Sequence, residues 1–562
     1  MIKHFSHRRY NFSVSVRLAA MYVAITLLLA YPLSQHPGSQ VISAAPDTDL
    51  FMWTLAWDAH AFRHPVSLLP HIFDANIYAP QRLTLAYSEN LIGSAFIAAP
   101  VLWTTGNPVL AMNAVSLVST VLCAIGAWWL ARRVGVSREG AILAGLVYAF
   151  SPPRFLRLDQ IHLVAMQWIP FALAAFHGYL GTGRRRDLWL ATLFFTLEVL
   201  SSGHGAVFLS LALLFVFAWH VTVGGGRLDV LARARDFGWP GALALAPVFL
   251  SLIPYFIVQR ETGLRRTLED WAVPATSFLA SPAHAWVALL SLFPNAQVNE
   301  TAGAYLFPGL LPIALALAGL FWPVRAGGAA SPALRWCYAL ITLVAFWLAA
   351  GPPIGIWPFV YWLPGLNFIR APNRFVLLAI AGLAVLAGIG FDRLSASTRR
   401  RGVLAAALGL LLVGEFAAVP LGTEAYSVQI PAIDRWLATQ PGPMTIAEVP
   451  LPDSRDLNRR ERRQTLFMLH STAHWQKTVH GYSGIRPPQY DELYAALLHF
   501  PDEDSLSRLR RLGATHVVVH QGLYEEGEFA QVRARLDALR DRLPLVHEES
   551  GDAVYALVAA RD

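Results

Sequence analysis

The chain has 562 residues, 55% of them hydrophobic and only 14% charged, with a mean hydropathy of +0.43, which excludes an ordinary soluble enzyme and predicts a multi-spanning membrane protein. Its formal charge of +7 comes from 42 Arg and two Lys, set mostly in short loops between apolar runs; this is a topology signal and not a nucleic-acid-binding surface. Two cysteines, Cys123 and Cys337, both inside apolar runs, exclude a disulfide framework.

The first apolar run, residues 18–33, follows Lys3, Arg8, Arg9 and Arg17, so the N-terminus is expected in the cytoplasm. Small residues at Ser43-Ala44-Ala45 mimic a signal-peptide cleavage site. The apolar core is long for a signal and many spans follow, so an uncleaved first helix is expected. The next segment, 34–106, is a long outer loop that opens on Asp47-Thr48-Asp49 and also holds Asp58, His60, His71, Asp74 and Glu89. Trp53, Trp57 and Phe62 predict that 49–62 is an amphipathic interfacial helix with its aromatics toward lipid. Residues 91–104 are apolar but fall short of the ~20 residues a crossing needs. Left uncrossed, they place Arg132, Arg133, Arg138, the Arg184–Arg186 triplet, Arg227, Arg233, Arg235, Arg325, Arg335, Arg393 and Arg399–Arg401 all on the cytoplasmic side.

Further spanning runs follow at 107–131, 139–152, 162–181, 187–202, 206–223, 239–257, 304–322, 336–351, 373–391 and 403–420, making eleven with the first. An odd number sends the C-terminus outside. From about Leu421 the chain turns polar, with strand-like segments at 444–449, 515–520 and 553–558 and helix-like ones at 501–512 and 525–542. The expected organisation is a transmembrane domain over 1–420 and a small extracytoplasmic α/β domain over 421–562, which is periplasmic in a bacterium with an inner membrane.

Several polar groups lie at the predicted outer ends of spans. Arg154 and Arg157 in Pro152-Pro153-Arg154-Phe155-Leu156-Arg157, and Arg370 and Arg374 in Arg370-Ala371-Pro372-Asn373-Arg374-Phe375, run against the positive-inside preference and are candidates for phosphate contact, headgroup snorkelling being the alternative. Asp159 and His162 follow the first pair. His204 sits in the short turn Ser201-Ser202-Gly203-His204-Gly205, either touching substrate or bonded to a neighbouring loop. Glu198 is an ionisable residue within a span, with pairing to an Arg as its plainer role. Glu89-Asn90 is a second acidic candidate or a cap on 91–104. His470 and His474 have i, i+4 spacing without the acidic partner of a zinc-protease motif, while Trp475 and Tyr482 suit stacking on a sugar. Asn299-Glu300-Thr301 matches a glycosylation sequon.

A first helix, a long outer loop opening with the acidic pair Asp47-x-Asp49, interfacial helices, some eleven spans and a C-terminal outer domain together resemble the GT-C superfamily of integral membrane glycosyltransferases. The resemblance implies an α-helical polytopic fold and transfer of a hexosyl or pentosyl group from a polyprenyl-phosphate sugar to a glycan, lipid or protein acceptor outside the cytoplasm, within the cytoplasmic (inner) membrane. It gives the general-base role to Asp47 or Asp49, which would take the acceptor hydroxyl's proton. A second carboxylate would orient the acceptor or help hold a divalent cation, Mg or Mn. Asp47 as a helix cap is the structural alternative. The leaving phosphate needs positive charge, for which Arg370 and Arg374 lead, ahead of Arg154 and Arg157, with His162, His204 and Glu89 nearby candidates. The competing readings are a transporter or flippase of a lipid-linked saccharide and a non-catalytic envelope assembly protein. No repeated half of the kind many transporters show is evident.

Overall fold

The computed structural model describes residues 12–223, 236–238, 241–263, 267–268, 273–292, 305–323, 332–363, 366–367, 369–453 and 455–558. The sequon at 299–301 lies outside them, as do Lys3, Arg8, Arg9, Arg227, Arg233, Arg235 and Arg325. The chain forms two compact units. One comprises Met1–Pro37, Asn113–Ser251 and Leu264–Thr423; the other comprises Gly38–Met112, Leu252–Gly263 and Glu424–Asp562.

The first unit is helical. Every apolar run of the chain contains helix, and among the described residues four stretches are long and apolar enough to cross a bilayer: Pro108–Arg133, Ile161–Thr182, Gly203–Thr222 and Pro372–Leu394. The second of these is interrupted at 165–167, between helices Ile161–Val164 and Trp168–Thr182. Helix Val376–Leu394 is buried on every side through Phe391 and packs against Arg138–Phe150, Leu310–Phe321 and Pro332–Ala349. Glycine makes that contact close. A Cβ on Gly390 would collide with the Leu315 carbonyl, and one on Gly388 would come within 2.9 Å of the Gly140 carbonyl. Lipid tails are as apolar as leucine, so such backbone-level packing is what holds membrane helices together.

The second unit contains a five-stranded sheet in the order Lys477–Thr478, Thr445–Val449, His516–His520, Asp552–Ala556, Leu545–Glu549. The first three strands are parallel and the last two antiparallel, with Ile446 opposite His516 and Val517 opposite Tyr555. The β-branched run Val517-Val518-Val519 forms the central strand and is buried on both faces. Ile433, Leu437, Ile446, Val518 and Val554 make one core cluster, with Trp436 and Met444 packed against it.

Helix Pro46–Arg63 belongs to this unit. Pro46 occupies its first turn, where the missing N–H costs nothing, and Asp47 and Asp49 lie at its positive end. It packs against Ile92–Thr105 and Leu457–Ser471. This corrects the expectation that its aromatics face lipid: Trp53 and Trp57 are buried in protein, and Trp57 Nε1 donates to the Ile72 carbonyl at 2.7 Å. Protein covers two sides of the helix, so the apolar face meets side chains where the sequence suggested a membrane surface. Gln40–Val41 pairs antiparallel with Glu424–Ala425, Gln40 opposite Ala425, tying the start of the long loop to a segment far along the chain.

Candidate active site

Two residues apart in one helical turn, Asp47 and Asp49 point in different directions. Asp49 is buried, 7% exposed. Tyr426 Oη donates to its Oδ1 and Thr465 Oγ1 donates to its Oδ2 at 2.6 Å. Burial pushes its carboxyl above the ordinary carboxylate range, opposed by the Thr465 and Tyr426 hydroxyls and the positive charge of Arg462. Asp47 is exposed and receives a single hydrogen bond among the described residues, from Tyr482 Oη to Oδ1 at 2.7 Å. Asp47 is not a cap, since the N-cap is Ala45 and no side chain caps this helix.

The same helix carries Asp58 into the unit's interior, where neither carboxylate oxygen has a hydrogen-bond partner among the described residues, and burial pushes its carboxyl well above the usual range. Near it, Tyr255 Oη donates to the Ser88 carbonyl at 2.8 Å and receives Asn90 Nδ2 at 3.1 Å, placing the half-buried Glu89 in the same neighbourhood as Asp58. Asn90 Oδ1 accepts the Ile92 amide at 3.1 Å, so the capping role falls to Asn90.

In the helical unit a second group gathers cations. Arg374 Nη1 lies 2.9 Å from His204 Nε2; a guanidinium only donates, so this imidazole nitrogen accepts and carries no proton. The His204 and His162 rings are 5.6 Å apart, and Arg157 lies close enough to Arg374 for their like charges to interact. His204 is in the first turn of Gly203–Thr222 and Arg374 directly precedes Val376–Leu394, so two positive helix ends reinforce the side chains. Arg157 is anchored by Nε to the Pro153 carbonyl at 2.8 Å and by Nη1 to Gln160 Oε1 at 3.2 Å. Arg370 is exposed, four residues before Arg374.

Arg154 is placed differently. It is 1% exposed and donates to the carbonyls of Ala149 and Val164 and to Cys123 Sγ. Its guanidinium joins the end of Arg138–Phe150 to Ile161–Val164, and Glu198 lies within reach of its charge. Among the described residues both Glu198 carboxylate oxygens are buried without a hydrogen-bond partner, so the Arg pairing the sequence suggested for Glu198 is not formed as an ion pair.

No family model and no curated protein matches the sequence. The structure is similar to that of the arabinofuranosyltransferase AftD from mycobacteria, with a TM-score of 0.58 and 17% identity over 97% of this chain. The two chains share a fold. The match takes in 40% of AftD, so this chain spans about two fifths of its length. Looser similarities to GT-C proteins are found for the oligosaccharyltransferase of Archaeoglobus fulgidus (TM-score 0.48, 13% identity, 90% of this chain and 69% of that one) and for ArnT from Cupriavidus metallidurans (0.44, 14%, 98% and 99%).

The two aspartates of the acidic pair have different surroundings. Asp49 spends both oxygens on hydroxyl donors and Asp47 faces elsewhere; among the described residues no group of three or more His, Cys, Asp or Glu side chains is arranged to hold a metal. His470 and His474 instead flank Asp434, at 3.9 and 3.4 Å. Trp475 stacks on His60 at 4.5 Å, so that face is already taken and unavailable to a sugar. Tyr426 and Thr465 escaped the sequence reading because they lie 377 and 416 residues from Asp49, with no local pattern to link them.

Proposed function

We propose that the protein is a membrane glycosyltransferase that moves a sugar from a polyprenyl-phosphate donor to an acceptor hydroxyl outside the cytoplasm, with Asp47 as general base. The observation that carries this reading is the unequal setting of the two aspartates. Asp49 is buried and satisfied, whereas Asp47 is exposed on a rigid helix end and keeps Oδ2 open to a substrate. As the acceptor oxygen attacks the anomeric carbon, Asp47 takes the hydroxyl proton, the glycosyl-to-phosphate C–O bond breaks and the phosphate departs with an added negative charge. In the helical unit taken by itself, Arg374, Arg157 and the neighbouring histidines, with two helix N-termini, form a group of the charge that a phosphate takes. Arg154 serves the fold. The likeness to AftD supports glycosyl transfer at the level of the fold.

The test supplies purified protein with radiolabelled polyprenyl-phospho-sugars, arabinofuranose and hexoses in separate reactions, and a panel of glycan acceptors. Asp47→Asn is expected to lower kcat by about 10² to 10⁴ with the protein still folded. Transfer by Asp47→Asn at the wild-type rate overturns the base assignment.

A further inference from the structure

A carboxylate on the surface of a helix turn rotates freely, and a base that rotates wastes most encounters. Among the described residues Asp47 makes no ion pair, and it does not cap its helix. What it has is the phenol of Tyr482 at 2.7 Å, and the backbone behind that phenol is fixed on several sides. The segment leading to it pairs with the long loop: Thr478 N donates to the Asn76 carbonyl at 2.8 Å, Ala79 N to Thr478 at 2.9 Å and Tyr78 N to His480 at 2.9 Å. Gly481 N donates to the buried Gln464 Oε1 at 3.2 Å, and a Cβ at Gly481 would press within 2.7 Å of the Tyr78 ring, so only glycine brings the chain this close. Tyr482 N then donates to Met468 Sδ at 3.1 Å. Burial and the adjacent Asp47 carboxylate hold the phenol above its ordinary pKa, so it remains a donor; the other charges near it, Glu461 and Arg486, are paired with each other at 2.7 Å.

Building on the assignment of Asp47 as base, we propose that Tyr482 is a positioning residue for the transfer: its hydroxyl occupies Oδ1 of Asp47 and thereby presents Oδ2 to the acceptor hydroxyl. Tyr482 touches the base and not the substrate. The ordering cost is met on folding, because the ring is carried on a backbone held by the contacts above, and the hydrogen bond selects one carboxylate orientation before the acceptor arrives.

Tyr482→Phe keeps the ring and deletes the hydroxyl. In the full-length protein, kcat is expected to fall about tenfold to a hundredfold, the KM values for donor and acceptor to stay within about twofold, and the Tm within about 2 °C. In an Asp47→Asn background the same substitution is expected to do nothing further, because the two act as one unit. A Tyr482→Phe enzyme with wild-type kcat, while Asp47→Asn is inactive, overturns the proposal and leaves the base assignment standing. Additive losses in the double variant overturn it too, as does a Tm drop that accounts for the lost activity through lost folded protein. Wild-type transfer by Asp47→Asn removes the base assignment first and this proposal with it.

Discussion

Asp49 and Asp47 show how little the identity of a residue says before its neighbours are known. Both are aspartates in one turn of one helix, yet one holds the fold and the other is held out from it. Replacing Asp49 with Ala leaves the Tyr426 and Thr465 hydroxyls without their acceptor, at an expected cost of about 1–3 kcal/mol. A lowered Tm for Asp49→Ala beside an unchanged Tm for Asp47→Ala checks this; equal values for both contradict it. What separates the two is burial, and burial depends on residues some 400 positions away.

At the scale of elements, the sheet carries a pH response. His520, at the end of the central strand, sits between Glu448 at 3.0 Å on one neighbouring strand and Asp552 at 3.1 Å on the other. These two carboxylates push the imidazole up to about 9 against its own burial, and burial pushes Glu448 up as well, so the folded chain holds protons the unfolded chain would release. That stabilisation is full below pH ~6.5, the imidazole's unfolded value, and is lost as pH rises through about 9. His480 works in the opposite sense. Its Nε2 accepts the Glu448 amide at 2.7 Å and burial lowers it to about 3, while His470 is lowered to about 4, so their contribution is full above pH ~6.5 and is lost as pH falls toward those values. Thermal unfolding followed from pH 4 to 10 is expected to show greatest stability near neutrality, and His520→Gln should flatten the alkaline side alone. An alkaline fall unchanged by that substitution contradicts the assignment. Elements with a strong local period were legible in advance: strands expected at 444–449 and 515–520 are found at Thr445–Val449 and His516–His520. The exposed edge strand Leu545–Glu549 and the two-residue strand Lys477–Thr478 were not, since one alternates weakly and the other is too short to have a period.

For the whole molecule, the Arg distribution makes a claim about sidedness that hinges on helix Ile92–Thr105. Its 14 residues, with Pro100 inside, rise about 21 Å, short of the ~30 Å hydrocarbon core. An alkaline phosphatase reporter fused after Arg138 is therefore expected to be inactive, held in the cytoplasm, and one fused after Thr423 active. The reverse pattern overturns the topology.

Hydropathy by itself determined a chain of many apolar helices, because partition into lipid acts on composition and needs no partner; the expectation of a particular fold came from the resemblance of the whole architecture to a known superfamily. Only tertiary structure decided the surroundings of each side chain: it brought Arg374 to His204 across 170 residues, turned Arg154 inward, hid the tryptophans of the acidic helix and set Tyr482 on Asp47 across 435. Hydrogen bonds and burial belong to pairs of residues, and pairs so distant in sequence leave no trace in the pattern of either segment alone.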